Sequence, residues 1–379
     1  MSEKTKNQTV PVVAKRRFEE LDLARSLPLL FLPLGHIYEE FSYIKALPEN
    51  LVSNYSWILN LGCLVPSIFM ILMGANIHLS RKSTAENLFK RGIILLVMGV
   101  ALNFFRIIFP FIIVSIIHGN LKEIIGESSS LYFTLTSDIY DFAGLAFIVF
   151  AFFKKFDFSR LAIILSSIVL LTLDVVIPQF STGSKYLDGF LGRFIYMNED
   201  SYFPLSTWLV FPAIGYYFGY FYNNFETEDI RKSFVKKTFW VSLVGVFAMW
   251  FSLTNYKLDA LTIITSPANE YITDLPNVIM LTLLDGIWFA MFYFIYFKMK
   301  DTKICKFLVK ISRLIVPFYI IQWIIIGWAE YFANDFIKGT WMGHWLFWTF
   351  TIVTTIISAI IAIIYNKIKE NQRLNAVQS

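Results

Sequence analysis

Ten runs of mainly apolar residues, each near 20 long, alternate with short polar connections along this chain. They fall at 21–43, 57–79, 92–117, 132–153, 161–180, 203–224, 238–255, 277–297, 311–333 and 344–365. A run of that length is what an α-helix needs to cross the hydrocarbon core of a bilayer. The pattern predicts an all-α integral membrane protein of about ten transmembrane helices. It divides the chain into a polar tail over 1–20, a ten-helix membrane domain over 21–366 and a second polar tail over 367–379. No internal repeat is visible, which argues against the duplicated halves of many transporters.

Cations test the spacing. Twenty-five Lys and Arg fall in the N-terminus, in every second connection and in the C-terminus, against six in the remaining connections. Cytoplasmic segments carry such an excess. Both termini are therefore expected in the cytoplasm, in a multi-pass protein of the cytoplasmic membrane.

Composition narrows the function classes. Hydrophobic residues make up 56% of the 379 and charged ones 16%, too little charge for a soluble domain of this size. The net charge of +5 is scattered and forms no basic patch, so no nucleic-acid partner is expected. The four histidines, His36, His78, His118 and His344, have no metal-ligand spacing, and no metal is expected. Cys63 and Cys305 are expected near opposite membrane faces, too far apart for a disulfide. The N-terminus lacks the apolar core of a signal peptide. Oligomeric state is open, homo-oligomers included.

The first run reads RFEELDLARSLPLLFLPLGHIYEEF over 17–41. Eleven helical steps return His36 to the face of Arg25, about 16 Å further along the axis. Asp22, three residues before Arg25, joins that face. Such groups are costly in lipid and should face protein or a water-filled cavity. Pro28 and Pro33 lie between them and should bend the helix. With the expected orientation, most other ionisable residues within the runs crowd the outer half, which predicts a polar cavity opening outward.

His36 is the candidate catalytic residue. A neutral imidazole can take a proton from an alcohol or amine, or accept an acyl group itself. A carboxylate could orient it. Glu40 and Glu39 are in range on its own helix, and Asp138, Asp141 or Asp285 could serve from another; Glu40, Asp138 and Asp285 are the candidates carried forward. Arg25 suits a phosphate, and an extended arm of about 16 Å would join a phosphate there to chemistry at His36. Arg106, deep in the third run, is a further candidate for binding such a donor.

These residues resemble the start of the acyltransferase family 3 membrane proteins, which show Asp-x-x-Arg and then His with ten residues between Arg and His. The position after Arg, usually glycine there, is Ser26. IFMILMGANI (68–77) and NLFKRGIILLVMG (87–99) resemble that family's second and third helices. FYIIQWIII (318–326) resembles its ninth, with Gln322 where a His is common. SDIYDFAGLAF (137–147) and YFPLSTWLVFPAIGYYFG (202–219) are similar to middle segments of the heparan-alpha-glucosaminide N-acetyltransferase-like proteins. The resemblance implies acetyl-CoA as cytoplasmic donor and a hydroxyl on a glycan or lipid-linked sugar as acceptor. It implies catalysis by His36, donor handling by Arg25, and Lys90 and Arg91 as ligands of the donor phosphates. An N-acetyltransferase acting on an amino sugar, a transporter or flippase using the same polar cavity, and an inactive scaffold are the alternatives.

Overall fold

Where apolar side chains outnumber polar ones this heavily, the backbone must satisfy its own hydrogen bonds, and helices do that within one segment. The computed structural model of the protein describes residues 17–119, 137–176, 181–195, 202–255, 275–337 and 339–378, and no strand occurs among them. In chain order the helices are α1 (Glu19–Tyr43), α2 (Glu49–Asn54), α3 (Trp57–Leu79), α4 (Ala85–Asn103) and, after the π-turn Phe104–Ile108, α5 (Phe109–Ile117). There follow α6 (Ile139–Lys155), α7 (Arg160–Val176), α8 (Lys185–Leu191), α9 (Leu205–Trp208), α10 (Val210–Asn224) and α11 (Glu228–Asn255). The last four are α12 (Leu275–Met299), α13 (Lys303–Ser312), α14 (Ile315–Phe336) and α15 (His344–Gln378).

Nine of the ten expected runs coincide over most of their length with one of these helices, and the run 92–117 is divided among α4, the π-turn and α5. Among the described residues, five helical stretches are long and apolar enough to cross a membrane: Ala85–Ile117, Glu228–Ser252, Leu275–Met299, Ile315–Ala333 and His344–Asn375. Three of the other helices fall short for physical reasons. Polar residues from Asp22 to Glu40 interrupt α1, while α6 and α10 are only 17 and 15 residues long. The expected C-terminal tail is helical as far as Gln378. Residues 1–16 of the expected N-terminal tail and the connection 256–274 lie outside the described residues, as does the side chain of Cys63.

Helix α1 runs through the middle, packed on α3, α12, α13, α14 and α15. Its polar residues Glu20, Asp22 and Ser26 are buried, whereas α11 turns Trp240, Val241, Val244 and Phe247 outward. An apolar outside around a polar axis is the arrangement a bilayer imposes. Both expected bend points of α1, Pro28 and Pro33, lie inside one continuous helix. Pro28 has no N–H for the Ala24 carbonyl four residues back, and Trp288 of α12 donates its indole N–H to that carbonyl at 2.8 Å. Glycine permits the closest helix crossing. A Cβ on Gly74 of α3 would lie 1.9 Å from the Pro212 carbonyl oxygen, and one on Gly215 of α10 equally close to that of Ile71.

Candidate functional site

One cavity of about 1070 Å³ follows α1 from Arg17 and Arg25 past His36 to Glu40 and Tyr43. The helical offset of Arg25 and His36 thus reappears as two stations along one cavity.

At the first station Asp22 gathers three guanidiniums. Arg25 donates to its Oδ1 at 2.7 Å, Arg17 to Oδ2 at 2.9 Å, and Arg313 approaches Oδ2 at 3.5 Å. Arg313 also donates to Glu19 at 3.0 Å. The buried Nε of Arg25 has no hydrogen-bond partner. Arg91 lines the cavity with its guanidinium 4.7 Å from the Phe147 ring centroid. Lys90 is absent from the lining and pairs at 2.6 Å with exposed Glu86. Neighbours on a helix diverge by about 100°, so one of the two expected donor ligands faces the cavity and the other turns away.

At the second station His36 stacks on Trp323 of α14 at 4.2 Å between centroids. The Gln322 side-chain amide lies 2.9 Å from His36 Nδ1. None of the expected carboxylates makes that contact. Asp138 instead accepts from Tyr319 at 2.7 Å and pairs with Arg106 at 3.1 Å. It also caps α6, its N–H donating to Asp141 Oδ2 at 3.0 Å in a reciprocal capping box. Arg106 sits 4.3 Å from the Trp323 ring centroid, so this expected donor ligand belongs to the His36 station. Asp285 is fully buried in α12 and does not line the cavity.

The π-turn explains how Arg106 gets there. Pro110 cannot donate back to the Phe105 carbonyl, and Trp328 of α14 donates its indole N–H to that oxygen at 3.1 Å. The backbone of α14 comes close because residue 327 is glycine: a Cβ there would lie 2.3 Å from the Arg106 carbonyl oxygen. Gly327→Ala should therefore displace Arg106 from Asp138 and cut any turnover by on the order of 10²-fold. Steady-state rates beside a thermal unfolding curve check this; an unchanged rate would count against a placed Arg106.

Beyond His36 the cavity is acidic, lined by Glu39, Glu40 and, from α14, Glu330. In the sequence Gln322 stands out only as a departure from a family pattern, and Glu330 as one acidic residue in an apolar run. No local signal marks these two, Trp323 or Arg313 as functional residues, since all four join the site only through tertiary packing.

The apolar helices and the polar cavity among them define an integral-membrane protein built around a single imidazole. Residues 17–258 match the family model for the catalytic region of heparan-alpha-glucosaminide N-acetyltransferase, and the chain belongs to that family of membrane acetyltransferases. Of the two resemblances in the sequence, the match supports the second. No curated protein and no solved structure matches the chain.

Proposed function

We propose that this protein moves an acetyl group from acetyl-CoA to the amine of a sugar, with its Arg25 end in the cytoplasm and its Glu40 end facing the far side of the membrane. What carries the reading is one cavity with guanidiniums at its Arg25 end, an imidazole along it and carboxylates at its Glu40 end. The donor's phosphates meet Arg17, Arg25, Arg91 and Arg313, and its thioester reaches His36. The acceptor nitrogen attacks the thioester carbonyl carbon, and the C–S bond breaks. His36 takes the proton from nitrogen and returns it to the departing thiolate. Arg106, held by Asp138, is the cation nearest the oxygen on which negative charge develops.

A hydroxyl acceptor, the sequence expectation, would use the same base. The carboxylates at the Glu40 end favour the amine, which arrives as a cation and gives its extra proton to one of them before its freed lone pair attacks. A cavity with a charged station toward either end also suits a transporter, so the test must separate the two. Purified protein is incubated with radiolabelled acetyl-CoA and glucosamine, in detergent and in liposomes. The expected product is the N-acetylated sugar; translocation of unmodified sugar without it would overturn the proposal. Arg25→Lys should raise KM for acetyl-CoA about tenfold with little change in kcat, because an ammonium lacks the bidentate fork. Unaltered KM would remove Arg25 from donor binding.

A further inference from the structure

We infer that Gln322 is a positioning residue: its amide oxygen accepts the Nδ1 proton of His36 and so leaves Nε2 free to act as the base. This rests on the acyl-transfer reading above. Gln322 is fully buried on α14, its amide nitrogen lies 2.9 Å from Nδ1, and its Oε1 has no hydrogen-bond partner. The oxygen and nitrogen of a carboxamide exchange places by a half-turn of the last torsion, so either can face the ring.

The two orientations hold opposite tautomers. With the nitrogen inward, the amide donates to Nδ1 and the ring proton sits on Nε2, which then has no lone pair for the acceptor's proton. With the oxygen inward, Nδ1–H donates and Nε2 is open. Once Nε2 has taken a proton, both ring nitrogens are donors. An inward NH₂ would then set N–H against N–H, whereas the oxygen satisfies the ring before and after the transfer. A carboxylate could do the same, but the expected support at the start of α6 is committed: Asp138 holds Arg106, Tyr319 and the first turn of that helix. The amide therefore takes the orienting part that a carboxylate plays in a serine-protease triad.

The test compares wild type with two Gln322 variants in detergent, and uses His36→Ala to assign the spectrum. Gln322→Leu removes the acceptor and should lower kcat about 10–100-fold with KM for acetyl-CoA within about twofold. Gln322→Glu supplies an acceptor that cannot turn a donor inward, and should keep kcat within about tenfold of wild type. Nitrogen-15 NMR of histidine-labelled wild type, with the His36 signals identified by their loss in His36→Ala, should show Nδ1 protonated and Nε2 bare. A protonated Nε2 in wild type, or full kcat in Gln322→Leu, overturns the inference. If wild type transfers no acetyl group, the functional reading fails instead, and the spectrum still decides the tautomer.

Discussion

Replacing His36 with alanine is expected to lower acetyl transfer on the order of 10²–10⁴-fold, the range for losing a positioned general base. Water in the vacated space is a weaker base and cannot be held on one line between acceptor and thiolate. Folding should survive, because His36 lines a cavity and is only partly buried. The change frees the Gln322 amide and one face of Trp323, both of which can meet water in the enlarged cavity. Donor binding should also survive, since the guanidiniums around Asp22 lie about three helical turns away. The checks are turnover, acetyl-CoA affinity and elution as a single species. Normal affinity with lost turnover supports the base. Retained turnover removes His36 from the chemistry, and loss of both affinity and fold would assign it a structural role.

The second large effect concerns folding. Gly215→Val is expected to abolish stable assembly of the bundle. A Cβ there meets the Ile71 carbonyl oxygen at 1.9 Å, and neither backbone can yield without parting α10 from α3. Gly219, one turn on, meets Ala75 oxygen at 2.9 Å, so the crossing is close over two turns. Small residues four apart let membrane helices pack on dispersion alone. Overpacking commonly costs about 1–3 kcal/mol, and a backbone collision belongs at or above the top of that range. Gly35→Ala is the control, with nothing within 4 Å of its added Cβ although it adjoins His36. Size-exclusion profiles of the two variants should differ sharply, Gly215→Val aggregating and Gly35→Ala resembling wild type. Equal profiles would mean that the crossing relaxes more easily than its geometry implies.

The site was legible wherever a single helix carries it. Arg25, Asp22 and His36 share α1, and their offset depends only on helix pitch. Glu40 belongs to the same helix and lies where that pitch puts it, further along the cavity. Pairings between helices were not legible. Asp138 was read as a support for His36, yet its partners are Arg106 and Tyr319, brought to it by the π-turn and α14. The family resemblance implies both Lys90 and Arg91 as donor ligands, but a helix separates neighbours by direction. Asp285 was deep enough to suggest function, and depth in a span does not tell which way a side chain points.

The sequence by itself determined the all-helical class, the membrane setting and the line of polar groups along α1. Those follow from hydropathy and from a repeat of 3.6 residues, both properties of one segment at a time. The tertiary structure alone decided that Gln322 meets His36, that Arg106 reaches Asp138 and that Arg313 joins Asp22. Each of these pairs spans from 32 to nearly 300 residues of chain. Which helices become neighbours depends on where glycines allow backbones to touch, and that choice belongs to the whole bundle.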